Sequence, residues 1–207
     1  MIGDRRMYIS KYNLNIGNPK VKQALNDVDK MHRLVWGLFE DTSDFCVSRE
    51  GLGILYRVIT CKDKTFLVIQ SNMKPNLTMQ SAVGEQIYCV TDEVMENKLR
   101  MLGQVNFNIL VNPTCYIDEK RKYISKVSDR YAWMRKQAEK NGFEIIQMDE
   151  VASEFWKGQK GSHLISFGVS EYKGTLKIID FDKFYACVKK GIGKEKAYGL
   201  GLFQFGV

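Results

Sequence analysis

Histidine is scarce in this chain of 207 residues, which holds only His32 and His163. Its five cysteines (Cys46, Cys61, Cys89, Cys115 and Cys187) are odd in number and include no CxxC pair. Structural zinc and disulfide frameworks need regularly spaced ligands, so neither is expected. The cysteines read as small buried hydrophobes in a reducing cytoplasm. Long apolar runs are missing as well. Phe66-Leu67-Val68-Ile69 is typical of the longest, far short of the roughly 20 residues that span a bilayer as a helix. The start, Met1-Ile2-Gly3-Asp4-Arg5-Arg6, has neither an apolar h-region nor a small-residue cleavage site. A cytoplasmic, non-exported protein without a membrane partner is expected.

What is present is enough to fold. At 44% hydrophobic and 27% charged, the chain can bury a core and is not of disordered composition. The formal net charge is +7, and it is uneven. Residues 1–103 carry 14 basic and 12 acidic side chains; residues 104–207 carry 17 and 12. Such a balance is compatible with a polyanionic partner but does not require one.

Hydrophobic periodicity gives the order of elements. Met7 to Leu14 alternates and predicts a strand. Asn18-Pro19 opens a helix, because proline's missing N–H costs nothing in a first turn. Val21, Leu25, Val28, His32, Val35 and Phe39 recur at steps of three and four, predicting one helix to about Phe39. Ile54–Ile59 and Thr65–Gln70 are strands around the turn Lys62-Asp63-Lys64. A helix-like stretch follows over about 78–102. The second half repeats the order. Gln104–Val111 is a strand stopped by Asn112-Pro113, and Asp129–Lys140 a helix stopped by Asn141-Gly142. Phe143–Met148 is a strand, and His163–Ile179 contains one or two more. Asp182–Lys190 is a helix ended by Gly191, and Leu200–Val207 a closing strand. Two β-α-β-β-α-β sets imply an α+β protein of two tandem ferredoxin-like domains, over residues 1–102 and 103–207.

The most unusual segment is Gly191-Ile-Gly193-Lys194-Glu-Lys196-Ala-Tyr198-Gly199-Leu-Gly201, with four glycines and two lysines in eleven residues. Glycines expose backbone N–H groups and lysines add phosphate-binding charge. No Gly-Lys-Ser/Thr and no following helix make it a Walker loop, and the chain ends before a dinucleotide-binding unit is built. A plain turn into a glycine-kinked edge strand is the bland alternative.

The pattern Gly-φ-Gly-x-x-Lys-Ala-x-Gly-x-Gly-φ resembles the glycine-rich motif of the RAMP proteins of CRISPR systems. Met7-Tyr8-Ile9-Ser10-Lys11, Met31-His32-Arg33 with Trp36, Phe107 through Asn112-Pro113, and Ala132-Trp133-Met134-Arg135-Lys136 are similar, in order, to motifs of one branch. That branch is the CasE-type precursor-crRNA endoribonucleases of the type I-E Cascade complex. The resemblance covers nearly the whole chain and makes residues 1–6 an upstream extension, leaving Met1 or Met7 as the start.

The resemblance implies two ferredoxin-like domains, a repeat-RNA hairpin as partner, other Cascade subunits, and no metal or cofactor. It implies a cut at the hairpin base by attack of a 2′-hydroxyl, leaving a 2′,3′-cyclic phosphate and a 5′-hydroxyl. That reaction needs a proton-handling group and cations around the phosphorane. Histidine's ordinary pKa of about 6.5 suits the first. His32 is the candidate, although a lone histidine in an apolar stripe is otherwise a packed side chain, and His163 is the fallback. Lys157 and Lys160, in Trp156-Lys157-Gly158-Gln159-Lys160-Gly161, occupy the family's lysine-bearing segment, expected as a loop; either fits. RNA contacts are implied for Arg33, Lys120, Arg121, Lys122, Arg130, Lys136, Gly191, Gly193, Lys194, Lys196, Gly199 and Gly201, with a basic helix suited to an RNA stem.

Two departures stand out. Asp29 replaces the tyrosine that the family often carries three residues before its histidine, so Asp29 is free to orient His32 or Arg33 instead. Asn108 and Leu110 replace strand arginines before Asn-Pro. The first departure keeps one rival open, a non-catalytic repeat-RNA-binding subunit; a second rival is a ferredoxin-like module that binds no nucleic acid.

Overall fold

The computed structural model describes residues 6–39, 49–76 and 83–206. Residues 1–5 of the expected extension, and Cys46, lie outside them. The chain divides into two compact units. The first comprises Met1–Asp92, Lys157–Ile165 and Ala197–Gly199; the second comprises Glu93–Trp156, Ser166–Lys196 and Leu200–Val207.

The first unit is a four-stranded antiparallel sheet. β1 (Tyr8–Leu14), β2 (Leu55–Cys61), β3 (Lys64–Ser71) and β4 (Gly84–Thr91) lie in the order β2-β3-β1-β4. This is the ferredoxin-like arrangement, with the first and third strands central. Tyr12 pairs with Leu67 and Gln86, fixing the register in the middle of the sheet. The core sets Tyr12, Leu14, Leu67 and Ile69 against Val21, Met31, Val35 and Leu38, and each fully buried aliphatic side chain contributes roughly 1.5–3 kcal/mol.

The expected single helix is two. α1 (Pro19–Leu25) starts as predicted, with Asn18 accepting from Lys20 N at 2.9 Å and Pro19 in the first turn. It stops at Asn26, whose side chain donates to Lys22 O. Asp27 then caps α2 (Val28–Gly37). Two successive residues that prefer caps to helix interiors outweigh an apolar period that runs on across them. The buried side of α2 also differs: Asp29, Met31 and Val35 are buried, while His32 is only half-buried.

A short α3 (Arg49–Leu52) precedes β2. The helix-like stretch over 78–102 resolves into edge strand β4 and α4 (Glu93–Leu102), because Gln86-Ile87-Tyr88-Cys89-Val90 pairs along β1 rather than winding. Residues 78–82 of that stretch lie outside the described ones.

The second unit carries the sheet order β10-β5-β9-β8, from β5 (Gln104–Val111), β8 (Phe143–Lys160), β9 (His163–Ile178) and β10 (Phe203–Gly206). α5 (Val127–Lys140) and α6 (Phe181–Lys190) complete a second ferredoxin-like set. Asp180 caps α6 by accepting from Lys183 N, and Gly191, at φ 68°, ends it. Phe143, Phe184 and Phe203 meet edge-on at 5.4–5.9 Å in the core.

An inserted hairpin was not foreseen: β6 (Thr114–Ile117) and β7 (Lys120–Tyr123), joined through Asp118 and Glu119 at φ 50° and 60°. Two left-handed residues match the strand twist, but neither is the glycine that usually signals such a turn. Lys120, Arg121 and Lys122 therefore lie on a strand. Nor are the cysteines uniformly core. Cys187 is buried, Cys89 and Cys115 are partly exposed, and Cys61 is exposed beside a turn. Among the described residues no helix is long and apolar enough to cross a membrane.

Candidate active site

His32 lies one turn into α2. Its ring meets Tyr198 edge-on, with centroids 5.9 Å apart and planes at 71°. Tyr198 closes a single 3-10 turn, Lys196–Tyr198, inside the glycine-rich segment. In the sequence pattern it is the unspecified position between Ala197 and Gly199.

Tyr56 of β2 packs against Gly199, the residue after Tyr198. It is 2% exposed, and its hydroxyl has no hydrogen-bond partner among the described residues. Burial pushes this phenol far up, and the neighbouring Tyr198 and Asp29 push it the same way, so it stays protonated. Gly199, at φ 90°, is buried against the ring, and a Cβ there would stand 3.0 Å from Tyr56 Cε2. Glycine is required here by close approach as well as by backbone conformation.

Asp29 is buried, with its Oδ2 2.8 Å from Arg33 Nε. Arg33 is 67% exposed, so a buried carboxylate holds one edge of an outward guanidinium on the turn that carries His32. Of the two roles open to Asp29, the geometry favours Arg33 as its partner.

Lys157 and Lys160 are not on a loop. They lie at the end of β8, the turn falling at Gly161 (φ 60°). Gly158 between them is buried on α2: a Cβ would stand 2.6 Å from Val28 Cγ2 and 2.9 Å from Asp27 Oδ1. Side chains alternate along a strand, so Lys160 leaves on the face that Gly158 turns to the helix. Lys157 leaves on the other. His163, the fallback, is exposed at the start of β9.

The remaining implied RNA contacts separate into exposed and occupied groups. Lys120, Arg121, Lys122, Lys136 and Lys194 are exposed. Arg121 donates to the Tyr116 hydroxyl at 3.1 Å; this bond and the Arg121 charge, with Lys194 adding, hold that phenol below its ordinary range.

Arg130 is a correction. It is 5% exposed and makes paired bonds to Glu150 at 2.6 and 2.7 Å as well as bonds to the Ile124 and Ser125 carbonyls, which fix it inside the fold. Lys196 Nζ donates to Lys190 O at the end of α6. Gly199 and Gly201 are buried, and Gly201 N donates to Leu110 O at 2.7 Å. Their glycine character is explained by packing, whereas Gly191 and Gly193 are partly exposed. Among the described residues no three His, Cys, Asp or Glu side chains gather as a metal-ligand set.

Two tandem ferredoxin-like sheets, one carrying a histidine between an outward arginine and a glycine-segment tyrosine, define the class of fold and site. The family described as CRISPR associated protein matches residues 7–205, and the chain belongs to it. It is 21% identical over 218 residues to the CRISPR-associated endoribonuclease Cse3 of Thermus thermophilus, covering 96% of this chain and 99% of that protein. Cse3 bound to a 19-nucleotide RNA superposes with a TM-score of 0.84 at 18% identity, covering 98% of this chain and 100% of that one. A chain of a CRISPR RNA-guided surveillance complex in its pre-nicking state gives 0.75 at 18% identity, covering 97% and 99%. The CasE-type resemblance read from the motifs is borne out.

Proposed function

We propose that this chain is the CRISPR endoribonuclease that cuts precursor RNA at the base of the repeat hairpin, and that it stays bound as a Cascade subunit. The observation that carries this reading is the match of the family across residues 7–205, with His32 held half-buried at the surface rather than sealed in the core.

In this reading the reaction proceeds without a metal. The 2′-oxygen attacks the adjacent phosphorus in line, and the bond from phosphorus to the 5′-oxygen breaks. The 2′-hydroxyl gives up its proton and the departing 5′-oxygen gains one, so a 2′,3′-cyclic phosphate and a 5′-hydroxyl remain. His32 handles one of these protons. Arg33, aimed by Asp29, and Lys160, on the helix-facing side of β8, supply cationic donors to the phosphorane oxygens. Lys157, on the opposite face, serves the RNA backbone. The exposed Lys120, Arg121, Lys122, Lys136 and Lys194 supply phosphate contacts along the stem, together with backbone at Gly191 and Gly193.

A cleavage gel in EDTA with the cognate repeat hairpin tests the reading. Wild type is expected to cut once, with product ends sensitive to a cyclic-phosphate-removing phosphatase, while His32→Ala binds and does not cut. Binding without cleavage by both proteins would leave the RNA-holding subunit as the function.

A further inference from the structure

No motif drew attention to Asp27, yet both of its carboxylate oxygens are engaged, and on different elements. Oδ1 accepts from Asp29 N at 2.9 Å and Lys30 N at 3.1 Å, capping α2. Oδ2 accepts from Gln159 N at 3.2 Å, from a residue 132 positions away on the tip of β8. Gly158, immediately before, lies directly on Val28 and Asp27. A cap alone is met equally well by serine or asparagine. The second acceptor is what aspartate adds.

We infer that Asp27 is a positioning residue for cleavage: it docks the lysine-bearing strand tip onto the helix that carries His32. The inference rests on the ribonuclease reading above. His32 follows Asp27 by five residues, about 7.5 Å along the helix axis. Lys160 follows Gln159 by one. A single carboxylate thus ties the backbones of both proposed reacting groups together, and Gly158 lets those backbones approach. Loss of the tie leaves each group on its own intact element but frees the distance between them, which lowers rate more than affinity.

Asp27→Ser keeps an oxygen for the cap and removes the one that reaches Gln159. Gly158→Ala disturbs the same contact from the other side, through a Cβ forced against Val28. Both are expected to lower the single-turnover cleavage rate about tenfold. Affinity for a repeat RNA carrying a 2′-deoxy group at the cut site should stay close to wild type in both variants, and so should the melting temperature of Asp27→Ser; the Cβ of Gly158→Ala lowers its melting temperature by crowding Val28. Wild-type rates in both variants overturn the inference, and so does a loss of affinity and melting temperature in Asp27→Ser that matches its loss of rate. Amide exchange at Gln159 provides a readout independent of chemistry: it should be slow in the wild type and faster in Asp27→Ser, and equal rates overturn the docking. A wild type that never cuts, with Gln159 exchange still dependent on Asp27, refutes the ribonuclease reading and leaves the docking standing.

Discussion

The His32 imidazole is met edge-on by the Tyr198 ring at 5.9 Å, so the glycine-rich segment delivers an aromatic wall to the proposed catalytic histidine. Edge contacts of this kind contribute about 0.5–1.5 kcal/mol and restrict ring rotation. Tyr198→Ala is therefore expected to slow single-turnover cleavage roughly tenfold at unchanged RNA affinity. Tyr198→Phe, which keeps the edge, should retain most of the rate. Equal rates in all three proteins would remove the ring from the mechanism.

Arg33 is two-thirds exposed, while the Asp29 carboxylate that holds it is buried. Its value is directional. Arg33→Ala should weaken RNA binding and reduce the slope of log affinity against log salt by about 0.7–0.9, as for one lost phosphate contact. Arg33→Lys should restore charge but not full cleavage, because an ammonium cannot reproduce the fixed donor geometry. Arg33→Ala takes a partner from the buried Asp29 carboxylate and should also lower the melting temperature, whereas Arg33→Lys should lower it less.

Lys120, Arg121 and Lys122 on β7 are exposed, whereas Arg130 is closed inside the same unit. Alanine at each of the first three is expected to lower the salt slope by about one contact. Arg130→Ala should leave the slope unchanged and lower stability instead. A salt slope that responds to Arg130 but not to β7 would reverse this assignment.

How much of this was legible in the sequence depends on range. Asn18-Pro19, Asn141-Gly142 and Gly191 announced helix ends because capping is local chemistry, and the alternation over Gln104–Val111 announced a strand. Asn26-Asp27 carried an equally local signal, but the apolar period ran across it and concealed the break. The β6–β7 hairpin was hidden because Asp118 and Glu119 adopt left-handed backbone without glycine. Tyr198 beside His32, and Gln159 on Asp27, join residues more than a hundred positions apart; only the fold brings them together. The implied RNA contacts mixed the solvent-facing Lys120, Arg121, Lys122 and Lys136 with the buried Arg130, which periodicity alone did not separate.

Cysteine chemistry offers a test of the fold that is independent of RNA. Burial pushes the Cys187 thiol up to about 12, with Lys196 opposing weakly, and the side chain is sealed in the second core. Cys61 is exposed at the β2–β3 turn. Thiolate is the reactive form, so a maleimide or iodoacetamide pulse at pH 8 followed by peptide mapping should label Cys61 and spare Cys187 until denaturant is added. Prompt labelling of Cys187 in the native protein would contradict this packing.

The buried Arg130–Glu150 pair makes acid sensitivity predictable. Burial alone would raise the Glu150 carboxyl, but hydrogen bonds from Arg130 and Ser170 outweigh it and hold the group below its ordinary range. A folded-state value below the unfolded one, about 4.3, means that the stabilisation is complete at neutral pH. It is lost as pH falls below the unfolded value and through the folded one. Glu150→Ala strands a buried guanidinium and should cost about 3–5 kcal/mol at pH 7. The gap between wild type and Glu150→Ala in urea melts should narrow as pH drops from about 6 towards 3, because protonation removes from the wild type the charge that the variant already lacks. A gap that is constant over that range would mean that packing, and not the ionised pair, carries the contribution of Glu150.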